Sequence, residues 1–307
     1  MISAGVLFLR NGDSHFRQRT AEDYEMENTE TKQALIGDVS RVTLVANASG
    51  KGGIGKSTAT CLLGCALEKE GVRIKMYDAE SVNSKTKKMF DDAAEHYNIQ
   101  DAKEQSRFLE SLQDDADVII HDTGASYSLA DDMANTLGGG PGALSRLFGI
   151  IDEMGIDVTL LHMLTHNPET TTNIGDWFKA LDAAKVTNVR HVVCINNAFV
   201  ESEEDCPVWI GFQDMKTNKF VGGNTRERIL QLQKAHRASV ISLPRLHPVA
   251  AAKMEIFPMR YSMAMQNKSL AFAERLQVQS FFENAHESFR QAGRLLGFPD
   301  IQMEKAA

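Results

Sequence analysis

Residues 49–58, Ser-Gly-Lys-Gly-Gly-Ile-Gly-Lys-Ser-Thr, constrain this chain more than any other stretch. From Gly50 they fit G-x-x-x-x-G-K-[ST]. In that pattern glycines let backbone N–H groups wrap a phosphate chain, the lysine reaches the β- and γ-phosphates, and the hydroxyl holds Mg²⁺. The pattern carries meaning only between a buried strand and a helix. Upstream, residues 41–46 form a short apolar, β-branched run; downstream, residues 57–70 favour a helix that Gly71 ends. A helix start with unpaired N–H groups and the positive end of the dipole favours an anion there. The sequence therefore predicts a phosphate-binding turn rather than a glycine-rich loop without chemistry.

The second position of the stretch is also a lysine, Lys51. With it, the stretch resembles the deviant P-loop, K-G-G-x-G-K-[ST], of the MinD/ParA class of ATPases. The resemblance implies ATP and Mg²⁺ as ligands and a homodimer that forms on ATP binding. It makes Gly50, Gly52, Gly53, Ile54 and Gly55 the phosphate-wrapping backbone, Lys56 the in-cis phosphate lysine, Ser57 the Mg²⁺ ligand and Thr58 a phosphate contact. Lys51 becomes the lysine that acts across the dimer on the partner's nucleotide.

Two further runs end in acid, where open parallel sheets place their chemistry. Residues 72–78 alternate as a strand and lead into Asp78-Ala79-Glu80. The MinD/ParA class carries D-x-D here, its second acid positioning the attacking water; Glu80 moves that carboxylate by about one methylene, a displacement that matters for near-attack geometry. A solvated acidic loop is the alternative. Residues 117–122, Asp-Val-Ile-Ile-His-Asp, fit a Walker B strand with Asp122 beside the Mg²⁺ ligands. Thr123-Gly124-Ala125-Ser126 then takes the place of switch II, Gly124 offering its N–H to the γ-phosphate. The wording of residues 122–126 departs from most of that class and is similar to the D-x-G-A-S of TraL-type conjugative-transfer and mobilisation ATPases of plasmids.

Residues 156–164 read as a third core strand and residues 189–197 as the next, ending in Asn196 and Asn197. An amide donates and accepts side by side, which suits an adenine edge. By resemblance Asn196, or Asn197 beside it, reads the base, and a structural turn asparagine is the bland alternative. Residues 239–244 form the last core strand, and the loop around Pro244 closes over the base in the same class.

The remaining segments are less specific. Residues 84–97 read as a helix opening on Lys85, Lys87 and Lys88, a solvated face or a contact to DNA or a partner. Residues 199–223 suggest a hairpin, with Trp209 and Phe212 as packing residues or partner anchors. His162 and His166 do not converge on a strand, so no histidine metal site is assigned. The amphipathic stretch 269–296 mixes Glu274, Glu283 and Glu287 with Arg275, Arg290 and Arg294, unlike a basic membrane anchor, and is expected to dock on the sheet.

Apolar content of 43% with 24% charged residues is ordinary for a globular protein, and a net charge of −8 argues against coating nucleic acid with the whole surface. Cys61, Cys65, Cys194 and Cys206 show no zinc spacing, which fits a reducing cytoplasm, and no run is long enough to span a membrane. Residues 1–38 are polar and aperiodic and are expected to be a poorly ordered extension. Residues 39–298 are expected to form a single P-loop ATPase domain, an α/β doubly wound and mostly parallel sheet, with 299–307 as a tail. The resemblance implies a slow, partner-stimulated switch ATPase in plasmid DNA mobilisation or segregation. Its partner would be a plasmid DNA-processing or DNA-binding protein, direct DNA contact being open. A dimerising ATP-binding module with negligible hydrolysis and a P-loop ligase or kinase on a small metabolite are the competing readings.

Overall fold

The computed structural model of the chain describes residues 41–79, 85–124 and 128–300. Strand β1 is Val42–Asn47, helix α1 Lys56–Lys69 and strand β2 Ile74–Ala79. A short α2, Lys85–Met89, precedes β3, Ala94–His96; α3, Ser106–Ser111, precedes β4, Val118–Thr123. Helices α4, Leu129–Asn135, and α5, Ala143–Glu153, lead to β5, Ile156–Leu164, followed by α6, Pro168–Ala183, and β6, Arg190–Asn196. After α7, Pro207–Ile210, comes a hairpin of β7, Phe212–Asp214, and β8, Lys219–Val221. Helix α8, Asn224–Lys234, β9, Ala238–Leu243, α9, Pro248–Ile256, and α10, Phe272–Ala292, complete the described elements.

Seven of these strands form one sheet in the order β3-β2-β4-β1-β5-β6-β9, every pair parallel. The near-continuous apolar runs arise because both faces are covered. Val45, Ile120 and Leu161 enter the core that α1 and α10 complete, while Leu44, Ala46, Ile119 and Leu160 face Leu147, Phe148, Ile151, Trp177 and Leu181 of α5 and α6. Successive residues of a strand point to opposite faces, so each strand serves both layers. From β1 the chain runs to one side of the sheet through β2, β3 and β4, then to the other through β5, β6 and β9. The direction changes at β1, so the turn after it opens into the crevice where ligands of such sheets bind. The fold is thus the expected doubly wound α/β sheet of a P-loop NTPase.

Helix α10 buries Val278, Phe281, Phe282, Ala285, Phe289 and Ala292 against α1 and the sheet. Glu70, just past α1, fixes the pair by accepting from Arg290 at 3.0 Å and meeting His286 Nε2 at 2.7 Å. The expected docking is therefore seen, though the helix starts at Phe272, and Leu276 lies on its exposed side.

Two local expectations are corrected. Residues 84–97 do not form one helix: the chain turns after Met89 so that Ala94 pairs with Met76 and extends the sheet by an edge strand. Burying Phe90 and Ala94 on the α1 face outweighs helix propensity there. In residues 199–223 the hairpin begins only at Phe212. Pro207 opens a helical turn that sinks Trp209 into the core, its indole N–H donating to Glu203, which also holds Arg226. Phe212 is exposed.

Three buried histidines are kept neutral. His121 is fully enclosed and burial pushes its pKa down to about 3; Ser111 Oγ donates to Phe108 and so accepts from His121 Nε2, leaving Nδ1 to accept from Tyr97. His162 and His191 stack and share a 3.1 Å hydrogen bond; burial lowers His191 to about 3 and His162 well below its usual value. The unfolded chain takes up these protons below a pKa of about 6.5, whereas the folded chain refuses them until about 3 at His121 and His191 and until well below the usual value at His162. Stability from all three is thus complete above about pH 6.5 and lost as pH falls below it, each proton contributing about 1.4 kcal/mol per pH unit. Urea titrations between pH 7 and 4.5 are expected to show this slope, and His121→Gln to reduce it by about one proton.

Candidate nucleotide site

The turn after β1 is held open by its neighbours. Ser49 Oγ accepts from the Met163 N–H at 2.7 Å, and the Ala48 N–H donates to Leu161, pinning the loop entrance to β5. Gly53 and Gly55 have φ of 72° and 92°, the left-handed conformation, and Gly55 is the residue before α1. No side chain caps α1, so its first N–H groups face the cavity that Gly52, Gly53, Lys56, Ser57 and Thr58 line, about 430 Å³ in volume. Lys56, largely buried, donates from Nζ to the Lys51 carbonyl at 2.8 Å and arches over the loop. Donors, dipole and ammonium converge on a space fit for a phosphate chain.

Asn196 lines an apolar space beside the turn and is also bonded to the turn itself. Its Nδ2 donates to the Ile54 carbonyl at 2.8 Å and its Oδ1 accepts from the Ala198 N–H at 3.0 Å, which leaves one N–H and one lone pair of the amide to spare. It braces the phosphate turn. A Cβ on Gly55 would come within 2.5 Å of Nδ2, so only glycine meets both the left-handed φ and this approach. Asn197 bonds its own N–H to Leu243, and its buried Oδ1 has no partner among the described residues. Pro244, Leu243, Leu246, Ala251, Tyr261 and Phe281 line a second, more apolar cavity of about 220 Å³ that adjoins the turn.

The strand-end acids are neighbours. Asp78 and Asp122 stand opposite each other in the β2–β4 register, both buried. Asp122 accepts from Thr60 at 3.3 Å and from Thr86 at 2.6 Å, linking β4 to α1 and α2. Asp78 accepts the Lys87 N–H at 3.0 Å at the start of α2. Thr123 donates to the Asn47 carbonyl and locks β4 to β1, and Gly124 follows half-buried. Glu80, Ala125 and Ser126 lie outside the described residues.

Lys51 makes an ion pair of 2.7 Å with Glu169, in the first turn of α6. Lys85 donates to Thr58 at 3.0 Å and pairs with Glu255 of α9. Sequence reasoning missed Asn47, Thr60, Thr86, Glu169 and Glu255, which follow no local motif, and placed Lys85 only within a charged face. Among the described residues no group of three or more His, Cys, Asp and Glu side chains could hold a metal. Mg²⁺ in phosphate sites keeps several waters and uses one or two side chains besides the phosphates, a role Ser57 and Asp122 fit. All four cysteines are buried, and burial pushes the Cys65 thiol up to about 11, so they act as core residues.

Comparison with known proteins supplies a family. The model of the CobQ/CobB/MinD/ParA nucleotide binding domain matches residues 45–206. Solved structures similar to this one include a chain of the MinC:MinD cell division protein complex of Aquifex aeolicus, 15% identical, covering 80% of this chain and 94% of that one, TM-score 0.44. The MinD cell division protein of Aquifex aeolicus is also 15% identical, with 80% and 95% covered and a TM-score of 0.42. A nucleotide-binding protein in complex with ADP from Archaeoglobus fulgidus is 15% identical, with 66% and 81% covered and a TM-score of 0.37. No curated protein sequence matches the chain.

Asn196→Ala is expected to leave the Ile54 carbonyl without its partner and to cost about 1–3 kcal/mol in urea unfolding. Asn197→Ala, which removes an amide oxygen already unpartnered, is expected to cost clearly less.

Proposed function

The chain belongs to the CobQ/CobB/MinD/ParA nucleotide-binding domain family, and on that premise we propose that it is a Mg-ATP-dependent switch ATPase that dimerises with ATP bound. The observation that carries the reading is the uncapped start of α1, framed by left-handed glycines and overarched by Lys56. Gly50, Gly52, Gly53, Ile54 and Gly55 wrap the phosphates, Ser57 holds Mg²⁺ with Asp122 behind it, and Thr58 touches phosphate. Lys56→Ala is expected to abolish ATP binding in calorimetry while the thermal transition stays cooperative; undiminished affinity would overturn the assignment.

Lys51 is the deviant lysine of this reading. Its ion pair with Glu169 within one chain occupies a side chain that an ATP-bound dimer would direct to the partner's triphosphate. Each such charge-assisted contact is worth about 1.5–3 kcal/mol, so losing two weakens dimerisation roughly a hundredfold or more. Sedimentation with a non-hydrolysable ATP analogue is expected to show a wild-type dimer and a Lys51→Ala monomer that still binds nucleotide.

Hydrolysis is slow in this proposal. Asp78 is buried and bound to the Lys87 N–H, so its structural role leaves water positioning to Glu80. The same observation favours a second reading, an ATP-binding dimerisation module with negligible turnover. Phosphate release measured beside binding separates the two: Glu80→Gln lowers turnover without changing affinity if Glu80 orients the water.

The cellular role we assign is plasmid DNA mobilisation, with segregation as its neighbour, acting through a DNA-processing or DNA-binding protein. The wording of residues 122–126 supports it. In this arrangement residues 39–298 are the ATPase domain, with 1–38 and 299–307 flanking it. Base recognition falls to the cavity at Pro244 and to Asn196, which lines it, with Asn197 beside it as the second candidate. Among the described residues no helix is long and apolar enough to cross a membrane.

A further inference from the structure

Of the three lysines that open the segment 85–88, the fold directs only one at the head of α1. Lys87 turns outward to Asp91 and Lys88 is exposed at the cavity rim, whereas the Lys85 side chain is only 17% exposed and its Nζ lies 3.0 Å from Thr58 Oγ1. The position is built from below: Asp78 holds the Lys87 N–H and Asp122 holds the Thr86 hydroxyl, so both strand-end acids fix the short helix that presents Lys85. The charge partner of Lys85 is Glu255 on α9.

This pair stands between the two cavities. Gly53, Gly55, Thr58, Lys85 and Glu255 line both the 430 Å³ space at the phosphate turn and the 220 Å³ apolar space at Pro244. A nucleotide with its phosphates on the turn and its base in the apolar cavity passes Lys85 and brings further negative charge beside Glu255. A phosphate group carries more charge and more acceptor oxygens than a carboxylate, and like charges at this range repel.

We propose that Lys85 is a phosphate-binding residue of this site and that Glu255 is its competing intramolecular anion, so that nucleotide binding exchanges the Lys85–Glu255 ion pair for a Lys85–phosphate contact. The exchange frees α9 from α2 and makes α9 responsive to occupancy. This rests on the nucleotide reading above and adds to it a cation and a competitor that the motif does not contain.

The test is calorimetric titration of the full chain with ADP and with pyrophosphate, each with Mg²⁺, alongside thermal melts. Lys85→Gln is expected to weaken both ligands about tenfold or more, the size of one charge-assisted hydrogen bond. Lys85→Arg keeps the charge and stays within a few-fold of wild type, and Glu255→Gln tightens both ligands several-fold. Unchanged ADP affinity in Lys85→Gln overturns the contact, as does a loss for ADP with none for pyrophosphate. Unchanged or weaker binding in Glu255→Gln overturns the competition. A lowered melting temperature in Lys85→Gln without Arg rescue reduces Lys85 to a structural strut. Wild type and Lys56→Ala serve as the reference: if neither binds ADP, the nucleotide reading fails, whereas binding by wild type alone with insensitive Lys85 variants removes only this inference.

Discussion

A helix that begins on a left-handed glycine has no side chain to satisfy its first N–H groups, and leaving them unpaired is costly. The surroundings of α1 keep that start open rather than closing it. Asn196 donates to the turn at Ile54, Ser49 ties the entrance to β5, and Lys56 folds back onto the loop carbonyl. None of these groups caps α1. They hold the geometry in which an incoming anion can take the place of water on those N–H groups.

The acids at the strand ends act chiefly as anchors. Asp122 gathers hydroxyls from α1 and α2, and Asp78 takes a backbone N–H from α2, so two adjacent carboxylates orient the elements that flank the cavity. Ordered hydrogen bonds to buried carboxylates resist rearrangement more than apolar contacts do, because breaking one strands a charge. Both acids thus hold the frame of the cavity in place.

Much of the architecture was legible because local signals agreed. The runs at 42–47, 118–123 and 156–164 are apolar and β-branched, end in turn or acid, and became β1, β4 and β5. The phosphate turn was legible because its motif is contiguous. What escaped depends on partners distant in sequence: Ala94 joins the sheet only because Met76 is beside it, and Lys85 is distinguished from Lys88 by Thr58 and Glu255. Asn196 has a partner of the same kind: its Nδ2 donates to the Ile54 carbonyl, 142 positions away, a tie from β6 to the phosphate turn that residue type alone does not reveal.

The packing of α10 on α1 has a consequence for the order in which the molecule assembles. The Arg290–Glu70 ion pair that joins them spans 220 positions, and Leu62, Cys65 and Leu67 of α1 share one core with Phe281, Phe282 and Phe289. Contacts of such sequence separation form late, since the intervening chain must first be confined. During synthesis the phosphate turn leaves the ribosome early, but the helix behind it stays without its cover until α10 follows. Until then the apolar flank of α1 faces water, and a chain arrested before residue 272 presents a ligand-binding motif mounted on an aggregation-prone surface.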